Sequence, residues 1–198
     1  MIEGWIVYLI ALPLAGFVAW RARRHGHSAF QVAVRALFVI YLGWMVGAAF
    51  FPLPVRWDLV RLERTEAGVD VSLVPGSSTR DYLSSGSREQ IAFELGGNVA
   101  VFVPFGFLLP LVAVRAGTWR RMLACGLLLS LSVELGQLAG SLALGYSYRV
   151  TDVDDVILNV AGVLLGFAIW CLVRARLPGV VATGPGLASD PTPDTSVA

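Results

Sequence analysis

Glu134 stands inside the apolar run Met122–Ala143, about thirteen positions from Arg121 and so roughly 20 Å along a helix. A carboxylate that deep in hydrocarbon costs on the order of 3 kcal/mol by insertion scales, so it needs partners or a water-filled cavity. Its own helix supplies some, because Ser130, Glu134 and Gln137 follow at i, i+4 and i+7 and share one face. A second set lies further on. Asp152, Asp155, Asn159, Gly162 and Gly166 are spaced three, four, three and four apart, so polar groups grade into a seam of small residues that lets another helix approach closely. Asp154 falls off that stripe and reads as solvated. Asn98 lies one turn before Phe102, and Pro104 with Gly106 is expected to disturb the helix and free carbonyls for a polar site. Arg149 is the basic residue closest in sequence to the acids.

For Asn98, Gln137 and Asn159 the competing reading is interhelical hydrogen bonding, and for Gly106, Gly162 and Gly166 it is packing alone. For Glu134 the functional reading leads, since an ionisable group inside a membrane marks a site by default.

The elements that must carry these groups are membrane spans. With 56% hydrophobic and 15% charged residues in 198 positions, and a mean hydropathy of +0.70, too little polar sequence remains to clothe a soluble core. Five apolar runs come near the roughly 20 residues that one crossing of the hydrocarbon needs: 4–20, 33–51, 99–114, 122–143 and 156–173. The fold expected is an all-α polytopic bundle with five spans. The first run has no basic residue ahead of it and Arg21, Arg23 and Arg24 behind it, so it reads as a span and not as a cleaved signal.

All fifteen basic residues are arginine, and their positions set the expected orientation. Arg21, Arg23, Arg24 and Arg35 flank the first connection, Arg115, Arg120 and Arg121 fill the third, and Arg174 and Arg176 follow the last span. Acids gather on the opposite side, in the loop 52–86 and at Asp152, Asp154 and Asp155. The positive-inside rule then predicts N-terminus out and C-terminus in, in the plasma membrane. Within the outer loop, Val69, Val71 and Leu73 alternate with polar residues as in a short strand, while Ser87 and Gln90 have capping-box spacing for the next helix. Residues 1–176 form the membrane domain, and 177–198, rich in Pro, Gly, Ser and Thr, read as a disordered cytoplasmic tail.

A net charge of +1 gives no basic patch, so nucleic acid is not expected as a partner. Cys125 and Cys171 lack ligand spacing and read as small buried hydrophobes, and no metal or cofactor is expected.

Depth unites the unusual residues. Glu134 and Gln137 fall in the outer half of the fourth span, while Asn98, Asp155 and Asn159 lie near the outer ends of theirs. If the third to fifth helices pack together, they enclose a pocket open toward the outer leaflet, with Glu134 paired to Arg149 or hydrogen-bonded to Gln137 and Asn159. The first two spans read as scaffold.

The ordered blocks Asn98, Phe102, Pro104 and Gly106, then Glu134 and Gln137, then Arg149, Asp152, Asp155, Asn159, Gly162 and Gly166 resemble the VanZ-like membrane proteins. They cover about a third of the chain, and the first two spans match in hydropathy alone. The resemblance implies a cell-envelope protein of a family whose founding member is similar to a resistance factor for the glycopeptide teicoplanin, acting without change to the terminal D-alanyl dipeptide of the wall precursor. No single biochemical activity comes with the family.

The leading expectation is therefore a non-enzymatic module whose outer pocket binds a membrane lipid headgroup, a lipid-linked wall intermediate or an amphiphilic glycopeptide antibiotic. One alternative is an intramembrane enzyme acting on a lipid or isoprenoid phosphate, with Glu134 or Asp155 as general base or as ligands to a divalent cation. Another is a proton- or ion-coupled transporter with Glu134 as proton carrier, disfavoured by the lack of internal symmetry.

Overall fold

The computed structural model describes residues 3–53 and 69–176. Five helices in it are long and apolar enough to cross a membrane. After a 3-10 turn at Gly4–Val7 come α1 (Tyr8–Arg24) and α2 (Ala29–Phe50). The long connection after α2 holds β1 (Val71–Ser72) and α3 (Ser77–Ser85). Then follow α4 (Arg88–Val112), α5 (Trp119–Leu144), β2 (Thr151–Asp152) and α6 (Val153–Arg176). The expected tail at 177–198, and the part of the loop 52–86 that carries Trp57, Asp58, Glu63 and Glu66, lie outside the described residues.

The helices overrun the apolar runs that announce them, because arginine and glutamine are good helix formers and a helix ends at a cap or a breaker, not where hydropathy falls. The head of α2 is such a cap: Ser28 Oγ accepts from Gln31 N–H, and the Gln31 side chain accepts from Ser28 N–H. The expected capping pair at Ser87 rests on the Gln90 side chain, which lies outside the described residues.

The bundle has two ends of different chemistry. Arg24 closes α1, Arg115 lies between α4 and α5, Arg121 sits in the first turn of α5, and Arg176 closes α6, so the alternating course of the helices collects these arginines at one end. The ends of α2 and α5, the starts of α4 and α6, and the small β1–α3 unit share the other.

The tightest pairing is α4 against α6. A Cβ added to Gly106 would overlap the Val163 carbonyl, one on Gly162 the Val99 carbonyl, and one on Gly166 the Val103 carbonyl. Each helix thus sets its bare backbone against the other's carbonyls, which a side chain on any of the three would prevent. Pro104 and Pro110 do not interrupt α4, which runs unbroken from Arg88 to Val112. The disturbance expected at Pro104 and Gly106 is replaced by close packing.

Buried side chains from four helices fill the core, among them Tyr41 and Met45 of α2, Phe102 and Phe105 of α4, Met122 of α5 and Val163 of α6. Tyr41 Oη also donates to the Val101 carbonyl at 2.8 Å, a cross-link from α2 to α4. α1 lies along α2, where Gly43 leaves room for Ala11. Leu9, Ile10, Leu128, Leu135 and Leu172 point outward, as lipid-facing residues of a bundle do. Cys171 joins them: it is exposed, not buried, and both cysteines are free.

The alternation at Val69–Leu73 yields a strand of two residues, Val71–Ser72, paired in parallel with Thr151–Asp152. Helix α3, which the sequence reading leaves as loop, begins at Gly76 in the left-handed conformation, φ 83°.

Candidate functional site

A cavity of about 360 Å³ opens among the ends of α2 and α5 and the starts of α4 and α6. Asn98, Glu134, Gln137 and Asn159 line it from the membrane helices. Asp155 at the head of α6, with Arg149 and Asp152 just before that helix, lines the rest of its charged wall. The polar residues singled out by spacing therefore share one cavity, but most of their hydrogen bonds differ from those expected.

Glu134 is 4% exposed, and Oε2 accepts from the backbone N–H of Asp152 at 3.1 Å. It pairs with neither Arg149 nor the side chains of Gln137 and Asn159. The donor it uses lies at the N-terminus of α6, where backbone N–H groups lack intrahelical acceptors and the helix dipole favours negative charge.

The same logic repeats outward. Asp152 directly precedes α6, and its Oδ1 accepts from Asp154 N–H at 2.9 Å, an N-cap arrangement. Asp154 then accepts from Gly76 N–H at 2.6 Å through Oδ1 and from Thr79 N–H at 2.9 Å through Oδ2, capping the start of α3. Asp154 is thus 4% exposed and not solvated as its off-stripe position suggests. The stripe describes α6 alone, and the partner is a different helix.

Gln137 and Arg149 serve the opposite kind of helix end. Gln137 Nε2 donates to the Ala49 carbonyl at 2.9 Å, and Arg149 Nη2 donates to the carbonyls of Phe51 at 3.1 Å and Ala48 at 3.4 Å. The last carbonyls of α2 have no intrahelical donor, and a cation there also suits the dipole. The end of α2 is therefore part of the cavity wall, through Ala48 and Ala49, and not only scaffold.

Side-chain pairs complete the joinery. Asn98 Nδ2 donates to Asp155 Oδ1, linking α4 to α6. Asn159 Nδ2 donates to Ser130 Oγ at 3.1 Å, linking α6 to α5. Asn159 Oδ1, in a residue only 3% exposed, has no partner among the described residues. Ser141 Oγ donates to the Arg149 carbonyl at 3.0 Å and steadies the turn between α5 and β2.

Two residues from α3, Ser78 and Tyr82, lie over the cavity, and Tyr148 borders it with its ring against Gly140. Burial raises the Tyr148 phenol above its ordinary pKa, and the charge of Arg149 acts the other way. The sequence reading missed Ser78 and Tyr82. The turn signal Pro75–Gly76 followed by Ser77, Ser78 and Thr79 was the available clue to a helix start.

Among the described residues no group of three or more His, Cys, Asp or Glu side chains is arranged to hold a metal ion.

The family model for VanZ/LLP1 matches residues 38–174, from the middle of α2 to the last turn of α6. The chain belongs to the VanZ/LLP1 family. The match takes in the whole cavity and leaves out α1, the helix that contributes nothing to its wall. Searches of curated proteins and of solved structures found no match. Within this VanZ-like membrane protein, then, the family's region coincides with the core of four spans and their polar end.

Proposed function

We propose that this VanZ-family membrane protein is a non-enzymatic binding module of the cell envelope. It sits in the plasma membrane with its N-terminus outside and its C-terminus inside, and its cavity receives the polar head of an amphiphile: a lipid headgroup, a lipid-linked wall intermediate or an amphiphilic glycopeptide.

The observation that carries this reading is the cavity's wall, where three carboxyl groups and one guanidinium lie at the polar end of the bundle. The arginine clusters gather at the other end, which by the positive-inside rule is the cytoplasmic one. A cavity at the outer headgroup level with both signs of charge suits a molecule whose apolar tail stays in lipid. The three helices' shared depth, inferred from spacing, supports the same view.

Binding by the purified full-length protein tests it. Fluorescently labelled phospholipids and teicoplanin are titrated onto the wild type and onto Glu134→Ala and Arg149→Ala, with a melting curve recorded for each. Loss of saturable binding in folded variants is expected. Unchanged binding in both would remove the cavity from the function.

A further inference from the structure

We propose that the ligand of this cavity is recognised through a primary ammonium group, seated deep in the cavity, with an anionic group held at its mouth by Arg149. This inference rests on the reading that the cavity binds a headgroup and names the chemistry it selects.

The cavity wall holds an unfilled acceptor. Asn159 is almost fully buried, lines the cavity, and spends its Nδ2 on Ser130, while Oδ1 has no partner among the described residues. A buried carbonyl oxygen without a donor costs about 1–3 kcal/mol unless something supplies one. The atom that would satisfy it must carry N–H or O–H.

The surroundings select which. One helical turn before Asn159, Asp155 accepts from Asn98, and the Glu134 carboxylate on α5 faces the same space. An ionised carboxylate has about four acceptor positions, and Glu134 uses one on Asp152 N–H. The interior of the cavity is thus rich in acceptors, with the carboxyl groups of Glu134 and Asp155 beside the Asn159 amide. A phosphate or carboxylate driven to that depth would meet like charge, whereas an ammonium brings three N–H donors and the complementary sign.

Arg149 stands at the opposite position. It is exposed, and Nη2 holds the end of α2. Nε and Nη1 make no hydrogen bond among the described residues, so the guanidinium keeps its charge and N–H donors for a phosphate or carboxylate. Ammonium inside and anion outside is the order of charges in an ethanolamine phosphate headgroup anchored by its diacyl tail. A free amine that also carries an anionic group shares the same chemistry.

The test varies the ligand first, so that it does not depend on a variant folding. Wild-type full-length protein in phosphatidylglycerol vesicles is titrated with phosphatidylethanolamine and its mono-, di- and trimethylated forms. Affinity is expected to fall stepwise, by about ten- to a hundred-fold across the series, as N–H donors to charged and neutral acceptors are removed. Asp155→Asn and Asn159→Leu, checked for an unchanged melting curve, are expected to flatten it. Soluble phosphoethanolamine distinguishes the source. Competition assigns recognition to the headgroup alone, and no competition with the lipid preference intact assigns it to the anchored lipid.

Equal affinity across the series, with binding that still depends on Glu134 and Arg149, overturns the ammonium inference and leaves the binding function standing. Absence of any Glu134- and Arg149-dependent lipid binding overturns both.

Discussion

The Glu134 carboxyl group accepts a 3.1 Å hydrogen bond from the backbone N–H of Asp152, so a side chain within α5 secures the chain at the point where it enters α6. From there the acids form a relay: Glu134 holds Asp152, Asp152 holds Asp154, and Asp154 holds the start of α3. Backbone donors at helix starts, and not arginines, satisfy these buried carboxylates.

That relay separates shape from charge at Glu134. Glu134→Gln keeps an acceptor for Asp152 N–H and is expected to melt close to the wild type. Glu134→Leu leaves that N–H unpaired and is expected to cost about 1–3 kcal/mol. Unfolding in mixed detergent micelles, with helicity as the signal, measures both. Equal losses in the two variants would contradict the assigned bond.

Asp154 is expected to control the docking of α3 over the cavity. Asp154→Ala removes both caps and should raise amide hydrogen exchange at Gly76 and Thr79 by about tenfold or more, consistent with the loss of hydrogen bonds to a charged acceptor. Exchange in the core of α6 should change little. Protection at α3 that survives the substitution would refute the cap.

The α4–α6 seam predicts opposite signs for glycines on the same helix. Gly106→Ala sets a methyl against the Val163 carbonyl and is expected to destabilise by about 1–3 kcal/mol or more, because backbone cannot yield as a side chain can. An added Cβ at Gly96 meets nothing within 4 Å, so Gly96→Ala should stabilise by about 0.5–1 kcal/mol through helix propensity. Thermal melts of the two proteins side by side decide it.

Gln137 should guard the end of α2. Gln137→Leu strands the Ala49 carbonyl, and the last turn of α2 is expected to exchange faster while its capped start at Ser28 does not. Uniform exchange along α2 would show that Gln137 does not act there.

The proposed orientation rests on the arginines and is open to labelling. In a protein with Cys125 and Cys171 replaced by serine, His27→Cys is expected to react with an impermeant maleimide only after the cells are opened, and Ser147→Cys in intact cells. The reverse pattern would invert the assigned topology.

Much of the architecture was legible in the chain because lipid imposes a simple rule: about twenty apolar residues per crossing, with every backbone group bonded within its helix. Five spans could be read from that rule alone, and the small-residue spacing at Gly162 and Gly166 pointed to a close helix contact. The cavity residues could also be named from it, since a polar group inside an apolar run is conspicuous wherever the run ends up. Asp154 shows the limit. On its own helix it stood off the stripe, and only the arrival of α3, separated by some 75 residues along the chain, makes it a buried cap.

What the sequence by itself determined is therefore local and periodic: which segments cross the membrane, which end is basic, and which side chains are too polar for lipid. Tertiary structure alone decided the partners. Glu134 was free to meet Arg149 as far as spacing could tell, yet helix ends create their own unmet donors and acceptors, and these take the polar side chains first. The N–H of Asp152 takes Glu134, and the carbonyls of α2 take Gln137 and Arg149. Which helix end lies beside which side chain depends on how bundles pack, and packing couples residues that no periodicity connects.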